Sequence, residues 1–376
     1  MKKNIVIVVS AMNLGGAQRV VSILCNYWSQ NGYKVTLIST YTGNKANHFK
    51  IDKGVSLASL NINPIFSKNR LLNLIWKFFQ LRKLIKEIKP DAVISFLTRI
   101  NIASSISTAG LDTSLVICER TWTPFVSLNK RFYWLYRIIF RKAKIITVQT
   151  EKSREWLSQN FPDNRVEVIP NPMIYPLPLH RERLIKPSSI ILPNRKIILA
   201  SGRMQKYKGF DYLIKAFSKI KDNHLDWDLV IIGDGEERFA LTKLINELKI
   251  ENRVYLPGSI GNMAEWYEMA DLFVLSSILE GFPNVLLEAM SYGLPCISFD
   301  CNTGPRDMIE DGVNGILVNP DKGWLGLVHA LNKLMLDEEL RSKFSQKSIL
   351  LREKYSIDNV MQKWDRVLDV SYSDKL

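Results

Sequence analysis

Short apolar runs alternate with longer amphipathic segments along the first half of the chain. Residues between 17 and 30 repeat their apolar positions at the spacing of one helix face, and a glycine turn at Gly15 and Gly16 precedes them. Runs rich in aliphatic residues occupy positions 3–10, 33–39, 92–96, 115–118 and 145–149. This alternation predicts a parallel α/β sheet whose strands are connected by helices.

The pattern changes near residue 166, where prolines become frequent and regular periods are few. A second alternation follows, with predicted strands at 196–200, 229–232, 253–256, 272–275 and 296–299. We therefore predict an α/β fold class with two Rossmann-like domains, 1–172 and 195–356, and a linker at 173–194. The ligand-binding edges of the two sheets are expected to face each other across a cleft.

The stretch from Glu280 to Glu288 places two carboxylates on either side of a predicted helix start. Pro283 suits the first helical turn, and the free N–H groups of residues 281–285 could hold a phosphate. Carboxylates repel phosphates but accept hydrogen bonds from hydroxyls, so the two acids suit a ligand with hydroxyls on both sides of its phosphates. A nucleotide-sugar is such a ligand. The alternative is a buried α/β unit with two solvated acids.

Arg203 and Lys208 follow the first predicted strand of the second domain. The segment is not a Walker A loop, because no Ser or Thr follows the lysine. The guanidinium can hold phosphate oxygens in a forked geometry and the ammonium adds a point charge, so together they could neutralise a diphosphate leaving group. A purely structural role is the alternative.

These segments resemble the signature of retaining glycosyltransferases of family 4. The two glutamates are separated by seven residues that include Gly-Phe-Pro-Asn, and the Gly-Arg-x4-Lys-Gly segment precedes them in the family's order, from about residue 196 to 315. The resemblance implies the GT-B fold. It also implies that Arg203 and Lys208 contact the donor diphosphate, that Glu280 holds sugar hydroxyls and that Glu288 holds the ribose.

The same resemblance implies the positions that bind the donor. In the family, a glycine loop of the first domain approaches the phosphates, and two strand ends of the second domain form the nucleobase pocket. The implied donor-binding residues are Gly15, Gly16, Gly202, Gly233, Tyr255, Leu256, Gly281, Phe282, Pro283, Asn284, Val285 and Glu288.

The acceptor side departs from the family's pattern. Many members carry a histidine after the strand that ends here in Cys118, whereas this chain has Glu119 and Arg120. We expect this pair to act with Arg203, Lys208 and Glu280 in catalysis, and a surface ion pair is the alternative. The last segment, 357–376, resembles the helix that crosses back onto the first domain.

The charge of the chain is concentrated in one half. The net charge is +14, and residues 1–180 hold 25 Lys and Arg against 9 Asp and Glu. Two basic, aromatic-rich helical segments lie in this half, at 70–89 and 130–144. Packing on the sheet would explain each of them, but two together favour insertion beside anionic lipid headgroups. We expect attachment to the cytoplasmic face of the membrane.

Nucleic acid is the rival partner for a basic surface. It would leave the paired glutamates and the Arg203 and Lys208 segment unexplained, and the basic segments are apolar-rich helices rather than reading helices. We therefore expect no nucleic-acid partner.

Cysteine and acid spacings give no metal site. The four cysteines match no zinc or disulfide framework, which indicates a reducing cytoplasm. Asp226 and Asp228 form a D-x-D string, but it precedes a predicted strand instead of ending one. We expect no metal and no required cofactor, only a nucleotide-sugar substrate, with UDP as the expected nucleotide.

The resulting hypothesis is a retaining glycosyltransferase in surface polysaccharide synthesis. It would move a hexose or N-acetylhexosamine from a nucleotide diphosphate sugar to a hydroxyl of a lipid-linked glycan. A non-catalytic nucleotide-sugar-binding protein is the alternative. A phosphorylase would need a pyridoxal-binding lysine that the sequence does not identify.

Overall fold

The computed structural model describes residues 3–12, 15–40, 49–61, 69–121, 139–179 and 183–373. The chain divides into two compact units, one formed by Met1–Pro172 with Asp358–Leu376 and the other by Met173–Ile357. Each unit contains one parallel sheet with helices packed against it. Within the described ranges, no helix is both long and apolar enough to cross a membrane.

The strands of the described residues are β1 (Asn4–Val9), β2 (Lys34–Ser39), β3 (Ser56–Ser59), β4 (Ala92–Phe96), β5 (Ser114–Cys118), β6 (Ile145–Val148), β7 (Val166–Val168), β8 (Lys196–Ser201), β9 (Trp227–Ile232), β10 (Val254–Gly258), β11 (Leu272–Leu275), β12 (Cys296–Phe299) and β13 (Gly315–Val318). Their order is β3-β2-β1-β4-β5-β6-β7 in the first unit and β10-β9-β8-β11-β12-β13 in the second. All neighbouring strands are parallel. The predicted α/β class and the Rossmann-like sheets are confirmed.

The helices with described bounds are α1 (Gly16–Gln30), α2 (Arg70–Ile88), α3 (Thr98–Thr108), α4 (Glu151–Asn160), α5 (Phe210–Ile220), α6 (Arg238–Glu247), α7 (Met263–Met269), α8 (Asn284–Ser291), α9 (Pro305–Met308), α10 (Gly323–Leu336), α11 (Glu338–Ser348), α12 (Leu351–Lys354) and α13 (Ile357–Ser373). They cover the central strands of each sheet, whose residues are buried on both sides, as parallel sheets require.

Three strands were not predicted, and each is short or at an edge. β3 and β7 are the two edges of the first sheet, and β13 is an edge of the second. β3 is largely exposed and β7 has only three residues, so neither carries an apolar run long enough to indicate a strand.

The predicted linker at 173–194 is part of the second unit. Met173, Leu177 and Ile191 are buried in that unit's core. The backbone N–H of Leu177 also donates to Tyr292 Oη at 2.8 Å. The apolar residues of this segment follow neither a helix nor a strand period, so their burial could not be predicted from the sequence.

Helix α2 has two halves with different surroundings. Leu81 and Ile85 are buried in the core of the first unit. In the preceding turns five large apolar side chains are exposed, whereas Trp76 and Phe78 are half-buried and Lys77 Nζ donates to the carbonyl of Thr40 at 2.8 Å. Packing on the sheet therefore explains only the second half of the helix. The second basic segment, 130–144, lies mostly outside the described residues.

Helix α13 is grouped with the first unit, although it is the last helix of the chain. The apolar face predicted from residue spacing is buried: Val360, Trp364, Val367 and Leu368. The Trp364 ring meets Trp28 edge-on with centroids 5.9 Å apart.

We expect Trp364→Ala to lower the free energy of unfolding of the first unit by about 3–5 kcal/mol, since it removes a fully buried aromatic side chain. Urea denaturation would measure the loss. Phe239→Ala, at an 82% exposed position on α6, is the control and should change stability by less than about 0.5 kcal/mol. Equal effects of the two substitutions would contradict the packing of α13.

Candidate functional site

The strand order of the second sheet reverses between β8 and β11, the position where open α/β sheets bind ligands. The segments that follow these two strands meet there. Ser276 Oγ donates to the Lys208 carbonyl at 2.9 Å. Gly209 has φ +63°, and a Cβ added to it would lie 2.1 Å from the Ser276 carbonyl oxygen. Glycine is therefore required for the two segments to come this close.

Lys208 and Glu280 are brought together by this approach. Lys208 Nζ lies 2.6 Å from Glu280 Oε1, and the two side chains are only 15% and 10% exposed. Arg203 lies in the same loop and is exposed. Among the residues that the structure describes, no ion-pair partner for its guanidinium is found. The site thus contains a paired cation and carboxylate, and the same loop carries a second cation that is exposed to solvent.

The turn before α8 is fixed by the loop after β12. Thr303 Oγ1 donates to the Glu280 carbonyl, and a Cβ on Gly304 would lie 2.4 Å from Pro283 Cδ. The first helical residue is Asn284, and Pro283 is the cap that precedes it. Our placement of Pro283 inside the first turn was therefore wrong by one residue. Sequence reasoning also missed Thr303, whose residue type gave no sign of the contact.

Residues 281–285 do not all face the site. Phe282 is buried and meets Tyr355 edge-on, with ring centroids 5.9 Å apart. Its side chain therefore anchors the turn in the core, and only its backbone could contact a ligand. Gly281, Asn284 and Val285 are partly exposed. The N-terminus of α8 adds the positive end of a helix dipole at this turn.

Glu288 lies one helical turn beyond Asn284 on the same face of α8. Only 8% of the residue is exposed, and Tyr267 Oη donates to its Oε2 at 3.1 Å. Tyr267 was not among the predicted site residues, because a tyrosine in a short helix upstream carries no motif. The predicted role of Glu288 at the ribose stays a prediction.

The predicted nucleobase segments lie at the ends of β9 and β10, and the end of β8 packs beside them. The Gly233 N–H donates to the Gly258 carbonyl at 3.0 Å, and a Cβ on Gly233 would lie 1.9 Å from the Gly202 carbonyl oxygen. The Leu256 carbonyl accepts a hydrogen bond from Arg238 Nη2 at 2.7 Å. Gly202 and Gly233 therefore allow close backbone packing, and Arg238 is a neighbour that the motifs did not indicate.

Tyr255 contributes mainly to packing. Its ring contacts the core of the second unit, and its hydroxyl donates to the Asn252 carbonyl at 3.0 Å. Burial raises the pKa of this hydroxyl. Contact of Tyr255 or Leu256 with a donor remains a prediction.

In the first unit, Gly15 and Gly16 follow β1, where the order of that sheet also reverses. Helix α1 begins at Gly16, and the Arg19 N–H donates to the Gly15 carbonyl at 3.0 Å. The sequence predicts a turn at both glycines, but in the structure Gly16 is the first residue of the helix and only Gly15 precedes it. Residues 13 and 14 of the predicted glycine loop lie outside the described residues.

Glu119 follows β5 and is 3% exposed. Asn101 Nδ2 donates to its Oε1 at 2.8 Å, and Thr98 Oγ1 donates to its Oε2 at 3.4 Å. Burial raises the pKa of the Glu119 carboxyl to about 7 and outweighs the lowering effect of these hydrogen bonds and of Arg120. The carboxyl can therefore gain or lose a proton near neutral pH.

Arg120 is also buried, at 8% exposure, and it does not pair with Glu119. Its guanidinium packs 5.0 Å from the Phe96 ring centroid and 5.7 Å from that of Trp364. Nη1 donates to Asn171 Oδ1 at 3.2 Å. The alternative of a surface ion pair is therefore wrong, because each residue is buried and has its own partners. Their catalytic role is untested.

The D-x-D string is structural. Asp228 is buried and accepts hydrogen bonds from Arg195 Nε and Arg253 Nε, both at 2.9 Å. Asp226 pairs with Lys196 at 3.0 Å. Among the described residues, no group of three or more His, Cys, Asp or Glu side chains could hold a metal ion.

Comparison with protein families identifies both halves of the chain. Residues 14–173 match the family described as Glycosyltransferase Family 4, and residues 182–350 match the one described as Glycosyl transferases group 1. Together the two matches account for most of the 376 residues.

Individual proteins agree with this result. The chain is 29% identical to an uncharacterized glycosyltransferase of Haemophilus influenzae, across 98% of this chain and 100% of the relative. It is 26% identical to a Campylobacter jejuni protein, across 96% and 97% of the two chains. That protein is named GalNAc-alpha-(1->4)-GalNAc-alpha-(1->3)-diNAcBac-PP-undecaprenol alpha-1,4-N-acetyl-D-galactosaminyltransferase.

Solved structures share the fold at lower identity. Anabaena HepE, in a crystal structure with UDP and glucose, superposes with a TM-score of 0.78 at 17% identity, across 98% of this chain and 99% of HepE. At this identity the similarity demonstrates the fold alone, and it supports the GT-B assignment.

The pKa of Glu119 predicts a pH-dependent stability. The pKa of the Glu119 carboxyl is 4.5 when exposed and about 7 in the folded protein. Its contribution to stability is therefore fully present below pH 4.5 and is lost as pH rises through 7. From pH 5 to pH 8 the parent should lose this contribution and Glu119→Gln should not. The difference in free energy of unfolding between the two proteins should therefore change by about 2–3 kcal/mol in favour of the variant.

Urea denaturation of both proteins at the two pH values measures this change. Glu155→Gln, at an exposed position of α4, is the control for general effects of removing a carboxylate. A constant difference between parent and Glu119→Gln across this range would show that Glu119 does not titrate as described.

Proposed function

The chain belongs to the family 4 glycosyltransferases, and from this premise we propose that it moves a hexose or N-acetylhexosamine from a nucleotide diphosphate sugar to a hydroxyl of a lipid-linked glycan. The observation that carries this proposal is the contact of Lys208 with Glu280 at the sheet reversal of the second unit. A phosphate-binding cation and a hydroxyl-binding carboxylate are both needed where the diphosphate of such a donor joins its sugar.

The leaving diphosphate is the group that needs most stabilisation. Transfer forms a bond between the acceptor oxygen and the anomeric carbon, and it breaks the bond from that carbon to the diphosphate oxygen. Arg203, Lys208 and the helix end near Pro283 would stabilise the charge that develops on the diphosphate. A neighbouring phosphate oxygen would take the acceptor's proton. Attack on the face that the diphosphate leaves gives retention of configuration.

UDP is the nucleotide that we propose for the donor. HepE, which has the same fold, holds UDP together with glucose in its crystal structure. The ribose would lie at Glu288, and the base would lie beside the ends of β9 and β10. Two cations and a helix end supply positive charge to the diphosphate, so we propose that no metal or other cofactor is required.

A lipid-linked acceptor is supported by a relative's name. The Campylobacter jejuni enzyme is named for a sugar chain on diphospho-undecaprenol. We therefore propose a role in the synthesis of a surface polysaccharide, such as O-antigen, capsule or exopolysaccharide. Glu119 and Arg120 would act on the acceptor side. Since both are buried, they would hold the loop that follows β5 and would not form an open binding surface.

Helix α2 provides a surface suited to a membrane. Its first half exposes five large apolar side chains: Leu71, Leu72, Leu74, Ile75 and Phe79. Exposed Lys83 and Lys86 follow along the same side of the helix. Apolar insertion beside basic residues is the pattern of interfacial helices on anionic lipid. We propose that this half of α2 docks on the cytoplasmic membrane surface, where a lipid-linked acceptor is found.

Lys208→Ala should reduce kcat/KM for the nucleotide-sugar by about 10²–10³, the usual cost of one lost group that stabilises developing charge. The assay is UDP release from UDP-glucose, UDP-galactose and their N-acetyl forms. Lys206→Ala is the matched control, since Lys206 lies in the same turn with 75% of its side chain exposed. Loss of activity in both variants, or in neither, would contradict the proposed donor site. UDP binding without turnover by the parent would favour a non-catalytic sensor.

Sedimentation with vesicles tests the membrane surface. Replacement of Leu71, Leu74 and Phe79 by Ser should abolish binding to phosphatidylglycerol-rich vesicles. Lys83→Gln with Lys86→Gln should weaken binding by about 1 kcal/mol per charge at low salt. Leu336→Ser, at a 75% exposed position of the second unit, is the control for loss of an exposed leucine.

The choice of charges follows the structure. Lys77 and Arg82 are left intact, because Lys77 bonds the Thr40 carbonyl and Arg82 Nη1 bonds the carbonyls of Ser107 and Ala109. Vesicle binding by the triple Ser variant at the parent's level would exclude α2 as the docking helix.

A further inference from the structure

We infer that Tyr267 is a positioning residue that orients Glu288 toward a ribose hydroxyl and so determines the preference for ribonucleotides. This inference depends on the proposed function, because it takes Glu288 as the group that receives the ribose. The observation behind it is the hydrogen bond from Tyr267 Oη to Glu288 Oε2, at 3.1 Å and inside the protein.

The position of the tyrosine hydroxyl is fixed by its surroundings. Tyr267 is 1% exposed and stacks on Tyr292, with ring centroids 5.5 Å apart and an angle of 29° between the rings. Phe273 packs against it from another side at 6.1 Å. A ring packed in this way keeps its hydroxyl in place, 3.1 Å from Glu288 Oε2 and 3.5 Å from the Val285 carbonyl, and the shorter contact is the one to Glu288.

Glu288 needs such a donor. A glutamate side chain has three rotatable bonds, and a carboxylate taken out of water must be hydrogen-bonded to be tolerated. A carboxylate has about four acceptor positions on its two oxygens, so it can accept the Tyr267 bond and a bond from a ligand hydroxyl together. Holding it before the ligand arrives avoids the entropy cost of ordering the side chain on binding.

The place of Glu288 in the helix indicates which hydroxyl it receives. It lies on the same face as Asn284, one turn further from the helix start where the diphosphate is proposed. The ribose is the part of a nucleotide diphosphate next to the phosphates that carries hydroxyls. A carboxylate one turn beyond the phosphate site therefore fits a ribose hydroxyl better than a base.

The hydrogen bond could instead serve the core alone. In that case Tyr267→Phe would lower stability but would leave the choice between ribose and deoxyribose unchanged. The ratio of the two dissociation constants therefore separates positioning from structural support. It also cancels any general loss of binding-competent protein.

Calorimetry gives the dissociation constants of UDP, 2′-deoxy-UDP and 3′-deoxy-UDP. The constant for each deoxy form is compared with that for UDP. The proteins are the parent, Tyr267→Phe and Tyr292→Phe. Tyr292→Phe is the matched control, because it removes a hydroxyl from the same aromatic stack, one that accepts a hydrogen bond from the Leu177 N–H. If the parent binds ADP or GDP in place of UDP, the same deoxy pairs of that nucleotide are used.

For one of the two hydroxyls, the parent should prefer the ribonucleotide by about tenfold or more, the usual effect of a hydrogen bond to a charged group. Tyr267→Phe should reduce that preference to about threefold or less, with KM for the donor raised more than kcat is lowered. Tyr292→Phe should keep the parent's preference.

The outcomes separate this inference from the function on which it depends. A parent that binds none of these nucleotides overturns the proposed donor site. A parent that discriminates, with a Tyr267→Phe variant that discriminates equally well, overturns the role of Tyr267 and leaves the donor site intact. Loss of the preference in Tyr292→Phe as well would assign the effect to the aromatic stack and also overturn the inference.

Discussion

The candidate donor site depends on the approach of two backbone segments at Gly209 and Ser276. Any side chain at residue 209 would overlap the Ser276 carbonyl oxygen, and its positive φ also favours glycine. This approach places Lys208 within ion-pair distance of Glu280, and the hydrogen bond from Ser276 Oγ holds the Lys208 carbonyl in place. The arrangement of the site therefore rests on a contact between two segments in which no charged side chain takes part.

The neighbouring strand ends follow the same constraint. Gly233 lies against the Gly202 carbonyl, and Gly304 lies against Pro283. Parallel strands bring their carboxyl ends to one edge of the sheet, but loops with ordinary side chains would hold those ends apart. Glycine at these positions lets several main chains converge, so that N–H groups and a few long side chains can reach one ligand.

Sequence reasoning succeeded where the physical signal is local. The apolar runs of the long strands and the apolar face of α13 repeat at a fixed period, so the Rossmann-like sheets and the buried residues around Trp364 could be predicted. It failed where a residue's role depends on contacts with residues that are distant in the sequence. Tyr267 and Thr303 contact the site through the fold, β7 is too short for a period, and the buried leucine at 177 follows no regular spacing. The burial of Glu119 and Arg120 was also concealed, since charged residues are seldom buried.

The charged residues of the two candidate sites, Lys208 with Glu280 and Glu119 with Arg120, differ in their surroundings. Lys208 and Glu280 neutralise each other at 2.6 Å and retain some exposure, so a ligand with both phosphate and hydroxyl groups can replace that interaction with equivalent ones. Glu119 and Arg120 are deeper and do not pair. The carboxyl is held by an amide and a hydroxyl, and the guanidinium packs against two aromatic rings. Neither the Glu119 carboxyl nor the Arg120 guanidinium has an exposed face that a substrate could contact. The guanidinium packs against Trp364 of α13, so the last helix of the chain supports the loop that follows β5.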